Sequence, residues 1–255
     1  MEIVDTHCHL YSEEFDGDRD EMIGRARERG VRTFYLPAID SSSIPGMLKL
    51  EADYPGVCKA MMGLHPCYVK ENWREELAIV EDWLSKREFA AVGEIGLDFY
   101  WDRTFEEQQY EAFRTQIAWA KKYNLPIVIH SRNSMQECIN MVREAQDGTL
   151  KGIFHCFGGS LESARQIINA GMLLGIGGVL TYKNAGLPAI LEQIPLEHIV
   201  LETDAPYLTP VPLRGKRNES SYLTYIISKL AEVKGVSEEE VARITTANSD
   251  RLFKL

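Results

Sequence analysis

Asp5-Thr6-His7-Cys8-His9-Leu10 continues an apolar run that starts at Ile3 and reads as a buried strand, Ile3–His7. Strand side chains alternate faces, so His7 and His9 point one way and Cys8 the other. Two imidazoles on one face at a strand end are half of a metal site. Four more residues of ligating type, Glu94, His130, His155 and Asp204, stand at or near the ends of later apolar runs. Singly, each has an ordinary explanation: a hydrogen-bonded surface histidine, or a loop carboxylate beside glycine. Together they do not, because five of the six histidines fall at such strand ends and the sixth, His198, precedes one.

Four imidazoles and two carboxylates exceed the needs of one tetrahedral catalytic zinc, which takes three protein ligands and a water. They suit two ions, about 3.5–4 Å apart, sharing one bridging carboxylate. Glu94 ends the fourth of eight apolar runs, midway round a closed barrel of such strands, and is the natural bridge. His7, His9 and Asp204 then complete one shell, and His130 with His155 the other. The mixed nitrogen and oxygen donors favour zinc, manganese, cobalt or magnesium over a soft ion such as copper(I). Cys8 and Cys156 adjoin ligands but alternate onto the outer face, where packing is the expected role.

The elements that must position these groups are short apolar runs alternating with helical patterns. The runs are Ile3–His7, Thr33–Pro37, Val57–Leu64, Ala90–Glu94, Pro126–His130, Gly152–Cys156, Met172–Ile176 and Ile199–Asp204. Several are apolar on both faces, as parallel strands covered by helices should be. Between them Tyr110, Phe113, Ile117 and Ala120 form a helical stripe, with a capping box expected at Thr104-Phe105-Glu106-Glu107. Ser160 and Ser237 mark two further helix starts. With no composition break, the pattern predicts one α/β domain over residues 1–255, a (β/α)8 TIM barrel. A doubly wound sheet is the alternative, but no glycine-rich phosphate loop follows the first strand. In such barrels residues from different strands converge at the C-terminal rim, where chemistry occurs.

Composition sets the remaining bounds. At 45% hydrophobic and 26% charged, the 255 residues are ordinary for a globular protein. Five cysteines without a C-x-x-C pair suggest free thiols and a reducing compartment. No secretory signal fits ahead of the first strand, and no apolar run approaches the roughly 20 residues that span a bilayer. The expectation is a cytoplasmic protein with no membrane partner and no obligate protein partner. A net charge of −10 argues against a broad electropositive nucleic-acid surface. It permits a nucleic-acid enzyme whose bound cations reverse the local sign.

The motifs DTHCHL at Asp5, GLHP at Gly63, GEIGLDFYW at Gly93, IHSR at Ile129, HCFGG at His155, ETDAPYLTP at Glu202 and RGKRNE at Arg214 resemble those of the TatD family of metal-dependent hydrolases. The resemblance runs along nearly the whole chain. It implies a (β/α)8 barrel with a divalent-metal centre and, from characterised members, 3′-5′ exonuclease activity on DNA. Carried over position by position, it marks the same six metal ligands, His7, His9, Glu94, His130, His155 and Asp204, and adds His65 and Glu202 as active-site residues. Asn133, Gly158 and Ser220 depart from residues frequent at those places, and none is a ligand.

The residues themselves suggest how the work divides. His65, ahead of Pro66 on the rim, is placed to donate to a phosphate or carbonyl oxygen. Glu202 shares a face with Asp204 through period two; as an unpaired buried carboxylate is costly, orienting a ligand or metal-bound water is its expected task. Asp204 would accept the proton of the attacking water, with Glu94 bridging. His65, Arg132 and Arg214 would contact substrate. Lys216 and Arg217 would join Arg214 in steering a strand end electrostatically. Phe99, Tyr100, Trp101 and Tyr207 would stack bases. The reading is a metal-assisted deoxyribonuclease acting on the 3′ end of DNA, single-stranded in preference. Rival readings are deacylation of aminoacyl-tRNA or small-molecule amide hydrolysis on the same site, and a non-catalytic binding module.

Overall fold

The computed structural model describes residues 1–253. Its parallel strands are β1 (Ile3–Asp5), β2 (Val31–Pro37), β3 (Cys58–Met61), β4 (Val92–Asp98), β5 (Ile127–Arg132), β6 (Gly152–Phe154), β7 (Met172–Ile176) and β8 (Ile199–Leu201). The α-helices are α1 (Arg19–Glu28), α2 (Ile44–Asp53), α3 (Trp73–Lys86), α4 (Glu106–Tyr123), α5 (Met135–Ala145), α6 (Leu161–Asn169), α7 (Leu187–Leu191), α8 (Leu223–Lys234) and α9 (Glu238–Phe253). Among the described residues, no helix is long and apolar enough to cross a membrane.

Regular ladders join β1-β2-β3 and, separately, β4 through β8 in sequence order. A few backbone bonds outside the regular ladders stitch the two together. At one seam Met62 pairs with Val92, and the Gly93 amide donates to the Met62 carbonyl at 3.0 Å. At the other, the Thr6 amide donates to Leu201 at 3.0 Å and the Asp204 amide to His7 at 2.9 Å. The result is the (β/α)8 barrel. Both irregular seams carry candidate ligands: Glu94 at the first, and His7 and Asp204 at the second.

The barrel interior explains where the polar groups go. Val4, Tyr35, Met61, Ala91, Val128, Ile153 and Val200, with half-buried Leu173, form an inner apolar layer. Leu252 and Phe253 of α9 close it from below, Phe253 stacking on Tyr35 at 3.8 Å. One period-two step beyond Val128 and Ile153 stand His130 and His155, and beyond Val200 stands Glu202, so polar side chains occupy the next interior layer. The larger apolar core lies between the strands and the helices.

Several expected boundaries move. β1 ends at Asp5, β3 at Met61, β6 at Phe154 and β8 at Leu201, so His7, His9, His155 and Asp204 sit just beyond their strands. β4 instead runs on to Asp98, which places Glu94 inside the strand. Ser160 caps α6 as expected, accepting from the Ser163 amide at 3.1 Å, and Ser237 accepts from Glu240 at the start of α9. The capping box at Thr104 does not form. Asp102 Oδ1 takes the Thr104 amide at 2.9 Å, an Asx turn that competes with the cap, and α4 starts after Phe105 without a side-chain cap.

Candidate metal centre

Glu94, buried at 2% exposure, is surrounded by imidazoles, and its two oxygens face different sets. Oε2 lies 3.2 Å from His7 Nε2 and 3.7 Å from His9 Nε2, and Asp204 Oδ1 lies 3.7 and 3.5 Å from the same two nitrogens. Oε1 lies 3.1 Å from His130 Nδ1 and 3.3 Å from both His155 Nε2 and His65 Nε2. His7 and His155 stack at 3.7 Å between centroids, which brings the two sets into contact.

The remaining ring nitrogens decide which lone pairs point inward. Tyr11 commits its hydroxyl proton to the Pro37 carbonyl at 2.6 Å, so in its 3.0 Å contact with His9 it accepts from Nδ1. In the neutral tautomer that this contact selects, His9 Nε2 aims its lone pair at the Glu94–Asp204 gap. His130 presents Nε2 to Asp98 Oδ2 at 2.8 Å, which leaves Nδ1 for the centre. His155 turns Nδ1 toward Glu202 Oε1 in a 3.2 Å charge contact outside hydrogen-bond geometry, and leaves Nε2. These are the carboxylate–histidine pairs that orient metal ligands. His7, 1% exposed, has no hydrogen-bond partner at either ring nitrogen among the described residues. An orphaned buried nitrogen beside two carboxylates fits a divalent cation, which would satisfy all three groups at once.

His65 is the exception. Distance alone would admit it to a set with Glu94 and His130. Its Nδ1 accepts the Cys67 amide at 3.0 Å, so the neutral ring carries its proton on Nε2, which faces the centre. A protonated nitrogen donates and does not ligate. Burial holds His65 below its ordinary pKa, with Glu94 opposing, so the ring stays neutral.

The charges follow the same pattern. Burial lowers His7, with His155 adding to it. Burial also works against charge on His130 and His155, but each ring faces a carboxylate at both nitrogens and is raised on balance, His155 strongly. Glu94 is held well below the usual carboxylate range although burial opposes it, because His65, His7 and His155 surround it. Asp204 is likewise lowered against burial, by His9 and His155.

Glu202 is fully buried behind His155, where it also accepts the Cys156 amide at 2.5 Å. Gly175 makes its room: a Cβ there would lie 2.3 Å from Glu202 Oε2. Glu202 therefore touches a candidate ligand and is absent from the cleft wall. The open cleft above the centre, about 900 Å³, is lined by His65, Arg132, Trp101 and Tyr207 among others. Arg214 lies outside that wall, on the Tyr182 ring at 4.3 Å. Arg217 is engaged elsewhere, donating to both oxygens of Asp18 at 2.7 Å and packing on Phe15, so it has no free charge to steer a substrate. Phe99 packs inward against the core.

Asp98 is a site residue that motif reading passed over. Besides His130, its other oxygen accepts the amides of Tyr100 and Trp101 at 2.9 and 3.1 Å. Period two from Glu94 through Gly96 to Asp98 was the available signal. Gly96 permits that register, since a Cβ there would meet the His130 carbonyl at 2.0 Å.

Comparison with known proteins identifies the family. The family model described as TatD related DNase matches residues 4–254. An uncharacterized metal-dependent hydrolase of Bacillus subtilis, YabD, is 39% identical over 99% of both chains. A protein of Erwinia tasmaniensis named 3′-5′ ssDNA/RNA exonuclease TatD is 31% identical, over 99% of this chain and 100% of its own. The crystal structure of YjjV, a TatD homologue from Escherichia coli, superposes with a TM-score of 0.93 at 28% identity, covering 99% of this chain and 98% of that one. An organophosphorus hydrolase of Deinococcus radiodurans shares the barrel at a TM-score of 0.69 and 14% identity, over 98% and 92% of the two chains, a likeness of fold alone. A match over residues 4–254, on a barrel whose inward ring nitrogens converge on one carboxylate, places this protein in the TatD family of metal-dependent hydrolases.

Proposed function

We propose that the protein is a two-metal phosphodiesterase that removes nucleotides from the 3′ end of single-stranded DNA. The observation that carries the metal assignment is the division of Glu94: one oxygen faces His7 and His9 beside Asp204, the other faces His130 and His155. The Erwinia relative named as an ssDNA/RNA exonuclease supports the substrate. So does a cleft whose wall combines a cation, Arg132, with exposed Trp101 and Tyr207.

Divalent ions held by these six residues would acidify a water and offset the charge of the phosphate. The side chains do the rest. His65 donates its Nε2 proton to a phosphate oxygen, a contact that strengthens as charge builds there. Asp204, with Oδ1 turned to His7 and His9, uses its other oxygen to accept the proton of the attacking water. Arg132 attracts the phosphate into the cleft. Glu202 and Asp98 hold His155 and His130 in orientation.

Metal uptake should release protons. A proton must leave Nδ1 of His130 and Nε2 of His155 before those lone pairs are available. Both rings titrate above the ordinary 6.5, so uptake remains proton-coupled near pH 7, and affinity rises as pH rises through the raised values. His7 is lowered and needs no such displacement. For the metal-free protein the sign reverses: the stability that protonated His130 and His155 contribute is complete below pH 6.5 and is lost as pH rises through their folded values. Calorimetry at pH 7 in buffers of different ionisation enthalpy should report net proton release on saturation with manganese. Release of none would remove His130 and His155 from the ligand set.

The functional test is a screen of metal-reconstituted protein on labelled single- and double-stranded DNA, RNA and aminoacyl-tRNA. Stepwise shortening of single-stranded DNA from its 3′ end is expected. Intact DNA with rapid deacylation of aminoacyl-tRNA would replace the nuclease reading.

A further inference from the structure

We infer that Trp101 and Tyr100, laid against the Arg132 guanidinium, form a subsite for an unpaired nucleobase beside the phosphate being hydrolysed. The inference rests on the nuclease reading and adds which feature of the nucleic acid is read.

Trp101 is 68% exposed, more than any other large apolar side chain among the described residues, and Tyr100 is 51% exposed. Leaving an indole in water forgoes substantial burial free energy, and a loose loop would be the ordinary reason. This loop is not loose. Asp98 Oδ1 holds the amides of both residues, Gln109 donates to the Asp98 carbonyl at 3.2 Å, and Lys70 pairs with Asp102 at 2.7 Å. The backbone is fixed from beneath while the two rings remain more than half exposed, set perpendicular at 4.8 Å. A binding face prepared in this way loses little entropy when ligand arrives.

Arg132 supplies the second half. Its guanidinium lies 3.8 Å from the Tyr100 ring centroid and 5.1 Å from that of Trp101, and no carboxylate pairs with it among the described residues. It lines the same cleft as Trp101, His130 and Glu94. A π surface next to an unneutralised cation, both within the cleft of the metal centre, matches a ligand that is flat and aromatic at one end and anionic at the other. A nucleotide has that form. Inside a duplex both faces of a base are already stacked, whereas an unpaired end offers them. The subsite therefore gives a physical reason for preferring single strands.

The test compares an oligothymidylate with the same strand made abasic at its last residues, using the full-length protein loaded with manganese. In the wild type the abasic ends should raise KM about ten- to a hundredfold, the range found when a base–aromatic stack is deleted. Trp101→Ala should raise KM for oligothymidylate by a similar factor, and its effect on the abasic strand should shrink to less than threefold. Equal KM values for wild type and variant on oligothymidylate, or an equal loss on both strands, would overturn the subsite while leaving the nuclease reading in place. A wild type that cleaves no oligonucleotide would overturn that reading instead. Binding to the metal-free protein then still tests the subsite. Oligothymidylate should quench indole emission in the wild type and leave it unchanged in Trp101→Phe, because the other three tryptophans, at positions 73, 83 and 119, lie in or against the apolar core. The same quench in both proteins would overturn it.

Discussion

Glu94→Ala should empty the centre of metal and reduce hydrolysis by more than about a thousandfold. Residues that merely orient metal ligands cost about 10–100-fold when removed, and Glu94 faces both sets directly, so its loss should exceed that range. The side chain is surrounded by His7, His9, His65, His130 and His155, and without it the ring nitrogens of both sets lose the carboxylate they share. Glu94→Gln separates bridging from a local role. The amide keeps the volume but offers one oxygen and one NH2 group, so at most one of the two sets retains an anion-like donor. Metal analysis after dialysis against a slight excess of manganese should find two equivalents in the wild type, at most one in Glu94→Gln and none in Glu94→Ala. A wild-type count in Glu94→Ala would mean that the ions, if two, do not share this carboxylate. The melt of the metal-free variants should remain cooperative, because the inner apolar layer and the strand–helix core are built from apolar side chains. Loss of cooperativity would make the residue structural.

The barrel was readable from the sequence because its physics is periodic. Val128 and His130, Ile153 and His155, and Val200 and Glu202 are each two residues apart on one strand or its continuation, so apolar and polar layers of the interior follow directly from alternation. Period two fails where the ladder is irregular. From Val4 to His7 and from Ala91 to Glu94 the interval is three residues, and in each case the pairing register shifts nearby, between Ile3 and Val4 and between Val92 and Ile95. A short-range pattern has no means of announcing such a shift. Glu94 consequently read as a strand end although it lies inside β4.

Other features depend on partners distant in sequence. Arg217 belongs to a run of basic residues, and a run of basic residues suggests phosphate. Its pairing with Asp18 joins residues 199 positions apart, which local composition does not reveal. The donor roles of the histidines were equally hidden. Tyr11, Asp98, Glu202 and the Cys67 amide fix which nitrogen of each ring carries a proton, and only the folded arrangement brings them together.

His65→Ala should slow hydrolysis about 10²–10³-fold, the cost of one donor aimed at developing charge, while both metals stay bound. Geometry and hydrogen bonding make opposite demands here. Nε2 stands 3.3 Å from Glu94 Oε1, as close as the corresponding nitrogen of His155, and by distance His65 is a fifth nitrogen ligand. The Cys67 amide, however, donates to Nδ1 at 3.0 Å, and a neutral ring with an acceptor at Nδ1 has its proton at Nε2. Ligation would require that proton to move to Nδ1 and the hydrogen bond from the Cys67 amide to break. The Glu94 contact is then a donated hydrogen bond, which a phosphate oxygen can take over when substrate enters. Because the donor strengthens its interaction as charge builds, the loss should fall mainly on kcat and only weakly on KM. Metal content is the deciding measurement. Two equivalents of manganese in a slow His65→Ala enzyme support the donor role, and loss of one equivalent would make His65 a ligand of the second set.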